Sequence, residues 1–364
     1  MLRRQFLQAA AAITGVSSIA RSQMQANGIR LGFDSYSLRA FHWKAIPLIE
    51  YAAAQKLDAI QLSSLEDYES FEPAYLTSVR EAAARLGITI DAGIGCICPS
   101  SKSWNAKHGK PDEYILKGLG VAKAIGASSM RCFLGAAADR LSPGGIDRHI
   151  ENTIRILKPL RSRALDVGVK IAVENHSGDM QARELRTLIE QSGKDFVAAC
   201  MDTGNPMWVV EDPLVTLEIL GPYTVTTHIR DSVVFEHPRG AAAQWVALGD
   251  GVIDFKRFVA RFRELCPRST MQLENITGRP PQVLPYLEPE FWKAFPNAVA
   301  SEFSRFVALA KSGHPFLGAM VIEDVAGKPP AEYTAALKAQ QQYDLERGFE
   351  YARKTLGVGL RWRT

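Results

Sequence analysis

The sequence predicts an α/β chain that closes as a single (β/α)8 barrel with an insertion in its last βα connection. Short apolar runs alternate with amphipathic stretches through eight repeats, and glycines punctuate the junctions from helix to strand. A parallel eight-stranded sheet wrapped by helices is the simplest closure of such a pattern.

The first run, 29–33 (IRLGF), leads to a helical stretch at 45–55, and the second, 59–62 (AIQL), leads to one at 74–86. The third and fourth runs, 89–92 (TIDA) and 129–134 (SMRCFL), flank a helix at 113–125; a helix at 148–167 then precedes the fifth, 170–174 (KIAVE). In these helices apolar residues recur three and four apart, which gathers them on one buried face. Gly87, Gly126 and Gly168 each follow such a stretch, where a left-handed C-terminal cap is wanted. The remaining runs are 197–202 (VAACMD), 225–229 (VTTHI) and 270–274 (TMQLE), and Asp254 before Phe255 supplies an acidic N-cap between the last two. A loop at 232–251 lengthens one connection. The closing helix, 331–356, is displaced by a Pro- and aromatic-rich segment, 275–330, with its own helix near 289–312. The barrel thus spans 27–356 and leaves 357–364 as a C-terminal tail. An insertion in a βα connection sits on the catalytic face, so this one either roofs the site or forms a contact in a homo-oligomer.

The amino terminus reads as an address. Arg3-Arg4 before Gln5-Phe6-Leu7, a mild apolar stretch and a small-residue site at Ser18-Ile19-Ala20 make residues 1–20 a Tat-type signal peptide, which predicts a periplasmic protein. Its removal lowers the formal net charge from +4 to +2. That balance offers no footprint for nucleic acid or an anionic membrane. The five cysteines are odd in number and lie mostly in or beside apolar runs, as buried thiols do; Cys96 and Cys98 alone are spaced as a metal or redox pair.

Four apolar runs end on metal-ligand side chains: Glu174, Asp202, His228 and Glu274. Three carboxylates and an imidazole at the carboxyl ends of successive parallel strands suit one divalent cation, with Mn2+ first for an oxygen-rich set and Co2+, Mg2+ or Zn2+ as alternatives. Singly, each residue reads as a salt bridge or polar strand end. Together they predict metal-assisted chemistry on a small polyol or sugar.

The segments Val173-Glu174-Asn175-His176, Met201-Asp202-Thr203-Gly204-Asn205, His228-Ile229-Arg230-Asp231, Gly249-Asp250-Gly251-Val252-Ile253-Asp254-Phe255 and Leu273-Glu274 resemble the xylose-isomerase-like TIM barrels, the sugar phosphate isomerase/epimerase family. The resemblance implies that Glu174, Asp202, His228 and Glu274 are the metal ligands, and that Glu174 and Glu274 also move protons on opposite faces of the substrate. A cation held across a carbonyl and its neighbouring hydroxyl acidifies the adjacent carbon, which suits two flanking carboxylates. Asn205 departs from the histidine frequent in the epimerase branch.

His176 reads either as a general base or substrate partner, or as a residue orienting Glu174. Arg230 reads as a substrate-binding cation, and Asp231 as a group holding His228 or Arg230, with a plain ion pair as the alternative. Tyr36, Trp104, Trp208 and Trp245 fall in connections on the same face, where rings either pack on a sugar or fill between loops. Glu66 reads as a solvent-facing turn, and His42, His108, His149, His237 and His314 as surface or packing residues. The scarcity of site histidines disfavours the trinuclear zinc chemistry of apurinic endonucleases in the same superfamily.

Three functions fit. The first is an isomerase or epimerase acting through an enediolate on a sugar or keto-sugar, unphosphorylated because export and the lack of a Gly-rich phosphate cradle argue against a phosphate. The second is a lyase or hydratase that cleaves 3-keto-glycosides by β-elimination. The third is a non-catalytic exported carbohydrate-binding barrel.

Overall fold

The computed structural model describes residues 28–319, 322–323 and 327–363. The signal-peptide reading at residues 1–20 lies outside them. Eight parallel strands form the barrel: β1 Leu31–Asp34, β2 Ala59–Leu62, β3 Thr89–Cys96, β4 Ser129–Phe133, β5 Lys170–Glu174, β6 Val197–Asp202, β7 Thr224–His228 and, after β8 Asp231–His237 and β9 Gly240–Val246, which lie outside it, β10 Met271–Leu273. They run in the order β10-β1-β2-β3-β4-β5-β6-β7. The seam between β7 and β10 is drawn together by Ile229 N–H donating to Gln272 O (2.8 Å) and Glu274 N–H donating to Ile229 O (3.0 Å).

Local chemistry places the helices as the sequence indicates. Gly87, Gly126 and Gly168 all adopt left-handed φ values of 66°, 81° and 72°, which a Cβ would strain. The Asp254 side chain caps helix Phe255–Leu265 through Arg257 N–H at 3.1 Å. The helix expected at 148–167 divides into Gly145–Leu157 and Arg161–Val167 around a 3-10 turn, Lys158–Leu160. Pro159 sits in that turn, where it removes a backbone donor and crowds the preceding turn.

Two expectations change. The stretch 232–251, read as a loop, is mostly a hairpin: β8 Asp231–His237 and β9 Gly240–Val246 pair antiparallel, and β11 Gln282–Leu284 from the insertion adds a third strand. Strict alternation is weak in SVVF and GAAA, so the period gave no strand signal. The segment read as a tail, 357–364, is built into the barrel floor over its described part: Asp58 accepts from the backbone N–H groups of Leu31, Leu360 and Arg361 at 2.8–3.0 Å, and Val358 is fully buried.

The insertion holds itself together by aromatic packing. Tyr286 and Trp292 meet Phe303 edge-on at 5.1 and 4.8 Å, joining a 3-10 turn (Pro289–Ala294) to helix Ala300–Ser312. Arg140 ties it to the barrel, with Nε donating to Ala294 O at 2.9 Å and the guanidinium over the Phe295 ring. No helix among the described residues is long and apolar enough to cross a membrane.

Candidate active site

Glu174, Asp202 and His228 close β5, β6 and β7, and Glu274 follows β10, so parallel register brings them to one end of the barrel. One ligand atom from each lies within 4.8 Å of all the others, and all four residues are buried. His228 Nδ1 stands 3.3 Å from Glu174 Oε1, 3.4 Å from Glu274 Oε2 and 4.0 Å from Asp202 Oδ2. That nitrogen has no hydrogen-bond partner among the described residues.

A chain of hydrogen bonds explains why Nδ1, and not Nε2, faces Glu174, Asp202 and Glu274. Asp91, inside the barrel, accepts from the Thr226 hydroxyl at 2.8 Å, which leaves a Thr226 lone pair to accept from Gln61 Nε2–H at 3.0 Å. Gln61 therefore turns its oxygen to His228, and Nε2–H donates to it. A proton is thereby fixed on Nε2, and Nδ1 is turned toward Glu174, Asp202 and Glu274. Gln272 and Ser129 also donate to Asp91, so its end of the chain is fixed.

Two arginines neutralise the carboxylates. Arg131, on β4, reaches Glu174 Oε2 through Nε at 2.6 Å and through Nη2 as well. Arg230 pairs with Asp202 and Glu274, with Nε donating to Asp202 Oδ2 at 2.9 Å. Burial works to raise Glu174, but Arg131 and His228 hold it well below the usual carboxylate range; burial likewise opposes Arg230 and His228 at Glu274, which lies at about 2. Burial pushes Asp202 up to about 6 against the pull of Arg230. For His228, burial disfavours the charged ring, yet Cys200, Glu274 and Glu174 raise its pKa well above the ordinary value. The raised pKa means that the carboxylates draw a second proton onto Nδ1, and the same demand for positive charge, from an oxygen-rich set with one imidazole nitrogen turned inward, fits a divalent cation that would displace that proton. Cys200 adds a neighbouring sulfur close to Glu174 and His228, but burial keeps it a neutral thiol.

Glu274, Arg131 and Arg230 line a cleft of about 750 Å³, with Glu174, Asp202 and His228 fully buried behind them. His176 lines it although the strand stops at Glu174: the chain turns through Ser177 (φ 43°) and Gly178 (φ 82°), and the His176 ring stacks on Phe133 at 3.8 Å. Burial lowers its pKa, and Nδ1–H donates to Gly135 O at 2.7 Å, which leaves Nε2 as a basic lone pair. Tyr36, Trp208, Trp245 and Arg230 also line the cleft, with the Arg230 guanidinium 4.6 Å from the Trp245 ring centre. Asn205 joins them and donates to Glu174 Oε1 at 3.1 Å.

Two sequence expectations go elsewhere. Trp104 packs edge-on against His108 and Tyr114, the latter on helix Pro111–Ile125, and is not a wall of this cleft. Asp231 holds neither His228 nor Arg230; it accepts from the backbone N–H groups of Ser232, Gly249 and Gly251, which gathers the two ends of the hairpin. Alternation along the chain turns it away from Arg230. The five cysteines are free and buried, and Cys96 Sγ donates to Leu134 O, so the Cys96/Cys98 spacing serves packing.

Sequence reasoning passed over Arg131, Asp34 and Gln61. Arg131 had a readable signal, a lone charge inside the run SMRCFL. Asp34 ends β1 as the ligands end theirs, and its Oδ2 lies 3.4 Å from His228 Nε2. Gln61 had none, since a glutamine in AIQL is as often a strand-face polar residue.

Comparison with known proteins follows the same lines. A curated relative, 3-oxo-isoapionate decarboxylase of Pectobacterium atrosepticum, is 20% identical over 242 residues, covering 62% of this chain and 78% of that protein. Among solved structures, a D-psicose 3-epimerase crystallised with D-fructose aligns at a TM-score of 0.58 with 16% identity, covering 90% of this chain and 100% of the other. The IolI protein with a bound zinc atom aligns at 0.52 with 14% identity, covering 78% and 95%. The profile of one family matches residues 49–278, which hold seven of the eight barrel strands and all four converging side chains: the chain belongs to the xylose isomerase-like TIM barrel family.

Proposed function

We propose that this chain is a divalent-metal-dependent isomerase or epimerase that acts through an enediolate on an unphosphorylated sugar or keto-sugar. The observation that carries the reading is the convergence of Glu174, Asp202, His228 and Glu274 at the floor of a cleft lined by rings and guanidinium groups. These four would hold the cation, with Mn2+ the first choice for three carboxylates and one imidazole. When bound, it supplies Lewis acidity that stabilises negative charge on the substrate carbonyl oxygen.

The protein's own groups do the rest. Glu174 and Glu274 are kept ionised by Arg131 and Arg230, so each can accept a proton from carbon and return it. They approach from β5 and β10, separate sectors of the barrel, which suits removal on one face and delivery on the other. His176 offers a neutral Nε2 to a hydroxyl proton. Arg230 Nη1 and Trp245 Nε1 are buried donors, and Asn205 Oδ1 a buried acceptor, without hydrogen-bond partners among the described residues. Mixed donors and acceptors on cleft walls match hydroxyl groups, which do both. The Arg3-Arg4 leader supports export to the periplasm, where free sugars are the expected substrates.

A lyase is the second reading, favoured by the decarboxylase among its relatives. One experiment separates the two: Mn2+-loaded protein is incubated with ketoses and 3-keto-glycosides in D2O and followed by NMR. Deuterium beside the carbonyl with an intact skeleton supports isomerisation. Loss of a fragment supports the lyase, and neither change leaves a binding protein.

A further inference from the structure

The cleft over the carboxylates does not end at Tyr36. A second chamber of about 740 Å³ adjoins it and shares Tyr36, Ser63, Arg131, Phe133 and Arg279 as walls. Each chamber lies in the size range of an ordinary small-molecule pocket, and a single sugar ring over Glu174 and Glu274 leaves the second one unused.

We infer that the second chamber is a subsite for a neutral sugar ring, so that the substrate is a glycoside with its reacting keto-sugar over the carboxylates; this rests on the function proposed above. The walls argue for that class. Tyr36 stands at the junction, 41% exposed, with its ring under the Arg39 guanidinium at 4.7 Å, so it presents a flat aromatic surface between the chambers. Trp43 and the stacked pair His108 and Tyr114 (4.1 Å) supply further ring surface deeper in. Rings of this kind pack on the C–H face of a sugar. The charged walls are Arg39, Lys44, Arg131 and Arg279 with Glu66 and Asp67; Arg131 is paired with Glu174, and Lys44 Nζ donates to Glu66 O at 2.6 Å. Basic side chains outnumber acidic ones, but with Arg131 committed to Glu174 the walls carry both signs and offer donors and acceptors to hydroxyl groups. His42 and His108, read from sequence as surface or packing residues, border this chamber, as does Glu66.

Calorimetry on the Mn2+-loaded protein tests this with D-fructose and two ketose disaccharides, lactulose and turanose. At least one disaccharide is expected to bind ten-fold or more tightly than D-fructose. Thr334→Trp on helix Ala331–Lys354 and, separately, Glu66→Trp in the turn Leu65–Asp67 fill the second chamber, and each should bring the ratio of disaccharide to D-fructose affinity toward one. D-fructose binding with no gain for either disaccharide overturns the subsite and leaves the proposed function standing. A gain that both tryptophan variants retain also overturns it. Binding of none of the three sugars removes the proposed function and this inference together.

Discussion

The imidazole of His228 is turned by Gln61: Nε2–H donates to the Gln61 side-chain oxygen, and Nδ1 is left facing Glu174 and Glu274 at 3.3 and 3.4 Å. Because Thr226 and Asp91 orient Gln61 in turn, a residue in the barrel interior decides which nitrogen is available at the site.

Gln61→Leu removes the acceptor for Nε2–H and frees the ring to adopt either tautomer. Divalent-metal affinity, measured by calorimetry, should fall about 10- to 100-fold. Gln61→Glu keeps an acceptor oxygen and should restore much of it. Equal affinity in wild type and Gln61→Leu would sink the orienting role.

Glu274→Gln keeps the shape of the side chain and removes its charge. Turnover should be lost while the thermal midpoint stays near that of wild type, since the residue belongs to the cleft and not to the apolar core. Stripping the metal with a chelator should abolish turnover in wild type, and Mn2+ should return it. Activity in the chelated enzyme would contradict the assignment.

His176→Ala deletes the lone pair opposite the Gly135 bond without touching Asp202, His228 or Glu274. If the ring moves a proton, kcat should drop about 10²- to 10⁴-fold with metal content unchanged. Metal analysis decides the matter: a parallel loss of metal would instead make His176 a residue that orients Glu174.

Burial pushes the Glu211 carboxyl up to about 7, although it accepts from Thr216 Oγ1–H at 2.6 Å. An unfolded glutamate titrates near 4.3, so between about pH 4 and 7 the folded state holds a proton that the unfolded state has released. Stability contributed by this group is thus full below about pH 4 and is lost as pH rises through 7, on the order of 3–4 kcal/mol. Glu211→Gln cannot ionise, so urea unfolding should show the wild type losing ground to it from pH 4.5 to 7.5. A constant difference across that range would refute the shift.

Much of the site was legible because strand ends in a parallel barrel obey a rule. Side chains at the carboxyl ends of neighbouring strands meet at one face, so Glu174, Asp202, His228 and Glu274 could be grouped from their runs alone, although they spread over 100 residues of sequence. The helix caps at Gly87, Gly126 and Gly168 were equally local, since backbone sterics set them.

The sequence by itself therefore determined the repeat, the sheet direction and the four converging side chains, all of which follow from apolar periodicity and the geometry of a strand. Tertiary structure alone decided which groups neutralise them and how the pocket is shaped. Arg131 reaches Glu174 across adjacent strands, Gln61 reaches His228 across the barrel, and the Gln282–Leu284 strand finds the hairpin from a distant insertion. Such pairings depend on barrel closure and side-chain direction in three dimensions, which no one-dimensional period encodes.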